Sequence, residues 1–196
     1  MELYEEELTV AGVRLTLARP VVPEDLIDED AFAVDEFLPY WAELWPAGLA
    51  LAGALPDVRR LRVAELGCGL GVPSLVAAAR GAEVTATDWA PAAIELLREN
   101  AERNGLPLRA EVRDWRETWD DRFDLVLAAD VLYERRNVEP LVALLHALAD
   151  VALVGLAGRP YEQAFLDAVG DAETIAPRVV RVTRGRRAGP PGRPAA

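Results

Sequence analysis

Apolar residues along the chain recur with two different periods, and these periods alternate from residue 61 onward. Short, nearly continuous apolar runs typical of buried strands are separated by segments whose apolar residues recur every three or four positions, as on one face of a helix. This alternation predicts a doubly wound α/β fold, with a mostly parallel sheet and helices on both faces. The predicted strands are Leu61–Leu66, Glu83–Thr87, Leu108–Val112, Phe123–Ala129 and Val151–Leu156, and the predicted helices are Val72–Arg80, Pro91–Asn104, Val138–Ala149 and Tyr161–Val169.

The segments on either side of this core have other patterns. Polar and apolar residues alternate from Leu8 to Leu17, which predicts an N-terminal β-hairpin. An acidic stretch from Glu24 to Glu36 predicts one or two helical turns, and Leu49–Leu55 predicts a helix of small residues. Thr174–Val182 is expected to form a last strand or pair of strands.

We expect one domain over residues 1–183, made of the hairpin at 8–17, a helical segment at 38–56 and the core at 61–183. Residues 184–196 are rich in arginine, proline and glycine and have no apolar period. Such a composition cannot bury a core, so it predicts a disordered basic tail.

The charge of the chain excludes several classes of partner. It has 21 basic residues, all arginine, against 33 acidic residues, for a formal net charge of −12. Because six arginines and no acid lie from Arg178 onward, residues 1–177 carry fifteen arginines against all thirty-three acids, a net charge of −18. An acidic body repels phosphate backbones and anionic lipids, so we expect neither a nucleic-acid nor a membrane partner.

The cysteine and histidine content is equally restrictive. Cys68 is the single cysteine and His146 the single histidine, so we expect no internal disulfide and no metal site. The N-terminus also lacks the basic start and apolar run of a signal peptide. We therefore expect a cytoplasmic protein, with a monomer as the default oligomeric state.

The most informative polar residues follow the first two core strands, where doubly wound sheets bind ligands. The first strand leads through Glu65 to Gly67, Gly69 and Gly71, and the second ends at Asp88, whose carboxylate suits paired ribose hydroxyls. The G-x-G-x-G spacing differs from the dinucleotide G-x-G-x-x-G, and a chain without lysine cannot form a P-loop. An acid before the glycines disfavours a pyrophosphate and suits an ammonium group. These features indicate S-adenosyl-L-methionine, which has an ammonium, a sulfonium, a ribose and no phosphate.

Two further strand ends carry candidates. The third leads to Asp114-Trp115, where the indole could lie along an adenine and the carboxylate could accept from its amine; the alternative is a surface acid before a core tryptophan. The fourth ends in Ala129 and Asp130, with Tyr133 three residues later. An acid that emerges from an all-apolar strand is costly to bury unless it is paired or functional, and the alternative role is a helix cap or a hairpin.

Together these residues resemble the class I, seven-β-strand S-adenosylmethionine-dependent methyltransferases. More narrowly, they resemble the protein-lysine methyltransferases of methyltransferase family 16. The most specific stretches are Pro39-Tyr-Trp-Ala-Glu-Leu-Trp-Pro-Ala-Gly before the first core strand and Asp130-Val-Leu-Tyr133 after the fourth. Val154–Pro160 is similar, with two substitutions, to the Gly-Asp-Pro-Gly-Arg stretch of the electron transfer flavoprotein β-subunit lysine methyltransferases.

The resemblance implies a Rossmann-like sheet and a role for each candidate. The sixth and seventh strands are expected to be reduced, because little chain follows Val169. Asp130 and Tyr133 would face the substrate amine as catalytic residues. The cofactor would be bound by Trp45 at its methionine part, Glu65, Gly67, Gly69 and Gly71 in the loop, Asp88 at the ribose, Asp114 and Trp115 at the adenine, and Ala129.

The implied reaction is transfer of a methyl group, by in-line displacement, to a lysine in a protein with a basic segment, which an acidic body would attract. Asp130 would orient the amine, and Tyr133 would add a cation–π contribution of about 0.5–2 kcal/mol. Two alternatives stay open: a small-molecule amine N-methyltransferase resembling nicotinamide N-methyltransferase, and a non-catalytic binding module. An NAD-dependent enzyme is disfavoured by the glycine spacing. Arg159 would hold a carboxylate of a partner protein or stay solvated in its loop.

Overall fold

The computed structural model describes residues 2–21 and 40–184. The acidic stretch from Glu24 to Glu36 and the predicted tail from residue 185 onward lie outside the described residues. The strands are β1 (Leu3–Val10), β2 (Val13–Pro20), β3 (Arg62–Leu66), β4 (Glu83–Asp88), β5 (Arg109–Val112), β6 (Leu125–Ala129), β7 (Val151–Gly155), β8 (Asp171–Ala176) and β9 (Val179–Thr183). The α-helices are α1 (Pro46–Gly53), α2 (Val72–Ala79), α3 (Pro91–Arg103), α4 (Val138–Leu148) and α5 (Glu162–Val169).

The main sheet has seven strands in the order β5-β4-β3-β6-β7-β9-β8, and β1 and β2 form a separate hairpin. Strands β3 to β7 pair in parallel, whereas β9 runs antiparallel to both β7 and β8. From β3 the chain moves outward to β4 and β5, then returns to β6 on the other side of β3. The carboxyl ends of β3, β4 and β6 therefore meet where the strand order reverses, which is where such sheets bind ligands.

The predicted α/β architecture and N-terminal hairpin are confirmed, with element ends shifted by a few residues. Helix α1 begins at Pro46, before the predicted Leu49, because proline lacks an N–H that the first helical turn does not need. The expectation of reduced C-terminal strands is wrong, since β8 and β9 complete the sheet. Only Pro177 and Arg178 join these two strands, so the pair needs little chain.

The parallel strands are buried on both faces, as their continuous apolar runs predict. Val63 of β3 and Leu127 of β6 pack with residues of α1, α2 and α3, whereas Ala64, Leu66 and Val126 pack with residues of α4 and α5. The period of two along each strand thus supplies two cores, one on each side of the sheet. Within residues 2–21 and 40–184, no helix has the length and hydropathy that crossing a bilayer requires.

The hairpin is attached to α3 by two asparagine side chains that continue the backbone ladder of β2. The amide of Asn104 accepts from the N–H of Thr16 at 2.8 Å and donates to its carbonyl at 2.8 Å. Asn100 does the same with Ala18, at 2.7 and 3.1 Å. Four residues along a helix rise about 6 Å, close to the rise of two residues along a strand, so both pairs form together. The free edge of β2 is thereby covered.

We predict that Asn100→Ala lowers the free energy of unfolding by about 2–4 kcal/mol, because it leaves the buried N–H and carbonyl of Ala18 without partners. Urea unfolding followed by circular dichroism measures this change. The control is Glu99→Ala, one residue away on the exposed face of α3, which should change stability by less than about 0.5 kcal/mol. Equal midpoints for both variants would show that the hairpin does not depend on this side chain.

Candidate functional site

A cleft with about 880 Å³ of empty space opens at the carboxyl edge of the sheet, beside the strand reversal. It brings together ten of the eleven residues that the sequence singled out. They are Trp45, Glu65, Gly67, Gly69, Gly71, Asp88, Trp115, Ala129, Asp130 and Tyr133. The structure does not bring Asp114 into this cleft.

The glycine loop after β3 forms one wall of the cleft, and its glycines are required by backbone conformation and by packing. Gly67, Gly69 and Gly71 have φ angles of +62°, +51° and +68°. A Cβ on Gly67 would lie 3.0 Å from the side chain of Trp115, and a Cβ on Gly69 would lie 3.0 Å from the carbonyl oxygen of Trp41. The sequence suggested glycine for the approach of a ligand, and the structure adds the approach of two tryptophans.

Glu65 lies under the loop with its carboxylate turned to the start of α2. Its Oε2 accepts from the backbone N–H of Ser74 at 2.9 Å and from the Ser74 hydroxyl at 2.5 Å. Because the N-cap residue Gly71 has no side chain, Glu65 satisfies the first turn of the helix in its place. Burial raises the pKa of Glu65 to about 8, since the loss of hydration outweighs the two hydrogen bonds. Much of the population therefore carries a proton on this carboxyl near neutral pH.

Asp88, at the end of β4, is fixed by backbone donors. Its Oδ2 accepts from the N–H of Gly69 at 2.9 Å and its Oδ1 accepts from the N–H of Ala90 at 3.0 Å. Burial raises the pKa of Asp88, and these N–H donors offset part of the rise. Each carboxylate oxygen can accept a further hydrogen bond, so the group is oriented and still able to bind hydroxyls.

Asp114 lines a neighbouring cavity, and its carboxylate is bound by a residue close to it in the chain. It accepts from the backbone N–H of Arg116 at 2.8 Å and from the Arg116 Nε at 2.9 Å. Arg116 thereby lowers the pKa of Asp114. A basic residue two positions later can draw the aspartate into a local turn, so its place at a strand end does not bring it to the cleft.

Asp130 follows β6 in an unusual conformation and is held by an ion pair. Its φ is +54°, and its side chain is 2% exposed. The carboxylate oxygens accept from Nε and Nη2 of Arg159 at 2.7 and 2.9 Å, in a bidentate pair. The carboxylate that Arg159 binds therefore belongs to its own chain.

Aromatic rings form a second wall of the cleft. The Trp45 indole donates to the carbonyl of Tyr40 at 2.8 Å, and the ring centroids of Tyr40 and Tyr133 are 5.4 Å apart. The guanidinium of Arg159 lies over the Trp45 ring, 5.2 Å from its centroid. Burial raises the pKa of Tyr133 to about 12, so the phenol keeps its proton at physiological pH.

Three aromatic lining residues, Tyr40, Trp41 and Trp89, were not identified as site residues from the sequence. Tyr40 belongs to the Pro39-Tyr-Trp stretch that carried the resemblance, so that stretch could have identified it. Trp89 lies next to Asp88, is 40% exposed and lines both the cleft and the neighbouring cavity. A tryptophan directly after an acid at a strand end was the feature of the sequence that could have identified Trp89.

The charge of the cleft is one-sided. Among the described residues that line it, five have carboxylates and none is basic; the acids are Glu43, Glu65, Asp88, Asp130 and Glu134. Such a cleft favours a cation and repels phosphate. No group of histidine, cysteine, aspartate and glutamate within residues 2–21 and 40–184 is arranged to hold a metal ion.

Known proteins are similar to this chain in sequence or in fold. The electron transfer flavoprotein beta subunit lysine methyltransferase of Danio rerio is 38% identical over 109 residues, which cover 53% of this chain and 42% of that protein. The histone-arginine methyltransferase METTL23 of Homo sapiens is 32% identical over 117 residues, covering 54% and 62%. The T. thermophilus 16S rRNA N2 G1207 methyltransferase, solved in complex with AdoMet and guanosine, has the same fold, with a TM-score of 0.70 and 22% identity over 93% of this chain and 51% of that one.

The family assignment rests on a longer match. The chain spans about half the length of the curated relatives it matches. Residues 42–168, which include α1, the glycine loop, Asp130 and Arg159, match the family described as lysine methyltransferase. This match covers well over half of the chain, and the chain belongs to the lysine methyltransferase family.

Proposed function

We propose that the protein is an S-adenosyl-L-methionine-dependent methyltransferase that methylates the side-chain amine of lysine in a protein. The observation that carries this proposal is the charge of the cleft, where carboxylates and aromatic rings meet and no described lining residue is basic. The sulfonium and ammonium groups of the cofactor fit such a cleft, whereas a pyrophosphate would be repelled. Membership of the lysine methyltransferase family supports the same function.

The cofactor's parts are assigned by the chemistry of the lining residues. Asp88 would accept from the ribose hydroxyls, because its oxygens are oriented by backbone donors and keep free lone pairs. Trp115 and the exposed Trp89 would contact the adenine. Glu65 would balance the ammonium group, and Trp45 would cover the methionine part. Ala129 and the three glycines of the loop would supply close contact without bulky side chains.

The protein has a limited chemical task in this reaction. When bound, the cofactor supplies an electrophilic methyl group: the amine lone pair forms a C–N bond as the C–S bond breaks, and S-adenosyl-L-homocysteine leaves. The aromatic side chains Tyr40, Trp45 and Tyr133 exclude water from the acceptor side. Asp130 orients the amine by accepting a hydrogen bond from one of its N–H groups. The amine loses its proton to solvent water, since the Tyr133 phenol is already protonated.

We further propose an acceptor with a basic segment. Glu43 and Glu134 line the cleft but are paired with Arg19 and Arg136, so the support comes from the whole acidic body: residues 1–177 carry a net charge of −18. This excess of negative charge would attract a basic segment from solution. We place the protein in the cytoplasm, because Cys68 is a free and buried thiol, as a reducing compartment permits.

Incubation of a cell lysate with the protein and a methyl-labelled cofactor tests the function. We expect label in one or a few protein bands, and methyl-lysine after acid hydrolysis of those bands. Methylarginine in the hydrolysate would overturn the lysine assignment, and label confined to the small-molecule fraction would favour a small-molecule amine N-methyltransferase. Absence of cofactor binding by calorimetry would indicate a non-catalytic binding module. Because the chain has no lysine, methyl-lysine in the assay cannot come from the enzyme itself.

We predict that cofactor binding at pH 7 releases close to one proton and that Glu65→Gln abolishes most of this release. Because the pKa of Glu65 is about 8 in the folded protein and 4.5 in a free glutamate, the free protein holds a proton there at pH 7. An ammonium group nearby favours the ionised carboxylate, so the proton leaves on binding. Calorimetry in two buffers of different ionisation enthalpy measures the release.

The raised pKa of Glu65 also predicts that the free energy of unfolding falls as pH rises between about 5 and 8. In this range the folded state binds a proton that the unfolded chain has lost. Glu65→Gln should reduce this slope, whereas the exposed Glu83→Gln should leave both the slope and the proton release unchanged. Equal proton release by the wild type and Glu65→Gln would exclude Glu65 as the linked group.

We predict that Asp130→Asn lowers the rate of methyl transfer by at least about 100-fold, with cofactor affinity changed less than about twofold, because one carboxylate oxygen becomes an NH2 donor and the bidentate pair with Arg159 that orients the side chain is lost. Label incorporation and calorimetry measure the two quantities. Asp120→Asn, in an exposed loop, is the matched control. Unchanged transfer in Asp130→Asn would remove Asp130 from the catalytic role.

A further inference from the structure

An arginine that the proposed reaction does not use lies beside the acceptor end of the cleft. Arg159 follows β7 and Asp130 follows β6, so their ion pair joins the ends of two neighbouring parallel strands. The backbone N–H of Asp130 also donates to the carbonyl of Gly155 at 3.0 Å. The position of the Asp130 carboxylate is therefore set jointly by both strands.

The guanidinium of Arg159 uses its edge and its face at the same time. Its edge donates two hydrogen bonds to Asp130, and its face lies over the Trp45 ring. A planar guanidinium can do both, whereas a lysine ammonium presents a single point charge. Arg159 therefore connects the carboxylate at the acceptor end to the aromatic wall.

The loop that carries Arg159 is itself held in place. Oε1 of Glu162, in the first turn of α5, accepts from the N–H of Ala157 at 2.6 Å and from the N–H of Gly158 at 2.8 Å. Gly158 has a φ of +86°, a conformation that glycine adopts without strain. Two hydrogen bonds directly before Arg159 thus aim its side chain at the cleft.

We propose that Arg159 is a positioning residue that neutralises Asp130, so that the acceptor amine enters the transfer site as a neutral base and is not captured as an ammonium ion. This inference rests on the proposed methyl transfer. An unpaired carboxylate would bind an ammonium strongly and keep its proton in place, and a protonated amine has no lone pair to attack the methyl carbon. Paired with Arg159, the carboxylate can still accept one N–H hydrogen bond for orientation.

The charges around the pair are consistent with this role. The hydrogen bonds to Asp130 raise the pKa of Arg159, so the guanidinium stays charged. The ionisable groups that influence Arg159 come from three other elements: Asp130 after β6, Tyr40 before α1, and Glu162 in α5. The cleft adds Glu43 before α1, and Tyr133 and Glu134 after β6, while Glu65 and Asp88 belong to the glycine-loop side.

The test compares the wild type with Arg159→Gln and Arg159→Lys in the lysate labelling assay, with initial rates measured from pH 6.5 to 9.5. In Arg159→Gln, Asp130 has no compensating charge and stabilises the protonated form of the acceptor lysine, which raises the pKa of that amine. We therefore expect the rising limb of the pH–rate profile to move to higher pH by about one unit. The rate should fall about tenfold near neutral pH and recover at high pH. Arg159→Lys should restore the position of the limb with a lower plateau, because the charge returns without the planar fork.

Arg109→Gln is the matched control, since Arg109 pairs with Glu111 on the exposed side of the outermost strand β5. Its pH profile should coincide with that of the wild type. If Arg159 has a purely structural role, the Arg159→Gln variant should lose activity equally at all pH values, or unfold at a lower temperature without any shift of the pH–rate profile. Either result overturns the proposal. A wild type that binds the cofactor and labels nothing would refute the proposed function itself, which separates the two failures.

Discussion

Three carboxylates at the ends of neighbouring parallel strands have to stay buried together, and the geometry of the cleft depends on how each one is satisfied. Glu65 is satisfied by Ser74 at a helix start, Asp88 by backbone N–H groups, and Asp130 by the guanidinium of Arg159. Backbone and hydroxyl donors carry no full charge, so burial raises the pKa values of Glu65 and Asp88. A full positive charge compensates only the third. The cleft is therefore divided into a side whose acids have raised pKa values and favour their ionised form when a cation binds, and a side whose carboxylate is already compensated by an arginine.

The aromatic wall that faces these acids is supported from outside the sheet. The carbonyl of Trp41 lies so close to the loop that only glycine fits at Gly69. Behind this contact, Ala18 of the hairpin and Leu70 of the loop pack in one cluster, with Trp41 against it. The hairpin in turn is fixed to α3 by Asn100. The two asparagine ladders therefore hold the hairpin in the position from which Ala18 packs with Leu70 and Trp41.

The sequence was sufficient to predict where the acids lie but not what they bind. Strand ends can be read from apolar runs, and parallel strands end at one edge, so Glu65, Asp88 and Asp130 could be brought together in advance. Their partners depend on tertiary approach: Arg159 is 29 residues from Asp130 in the chain, and no periodicity relates the two. Asp114 lies in the neighbouring cavity for the opposite reason, because a partner only two residues away in the chain binds its carboxylate.

The proposed reaction makes two opposite demands on charge. A basic segment has to be attracted from solution, and the amine that reacts has to be uncharged. The excess of acids over residues 1–177 acts through solvent, over a Debye length of about 8 Å at physiological ionic strength. At the point of transfer, Asp130 is compensated by Arg159 at hydrogen-bond distance, so the attraction weakens where a neutral amine is needed. Attraction of the substrate and preparation of the nucleophile can thus be carried out by different parts of the same protein.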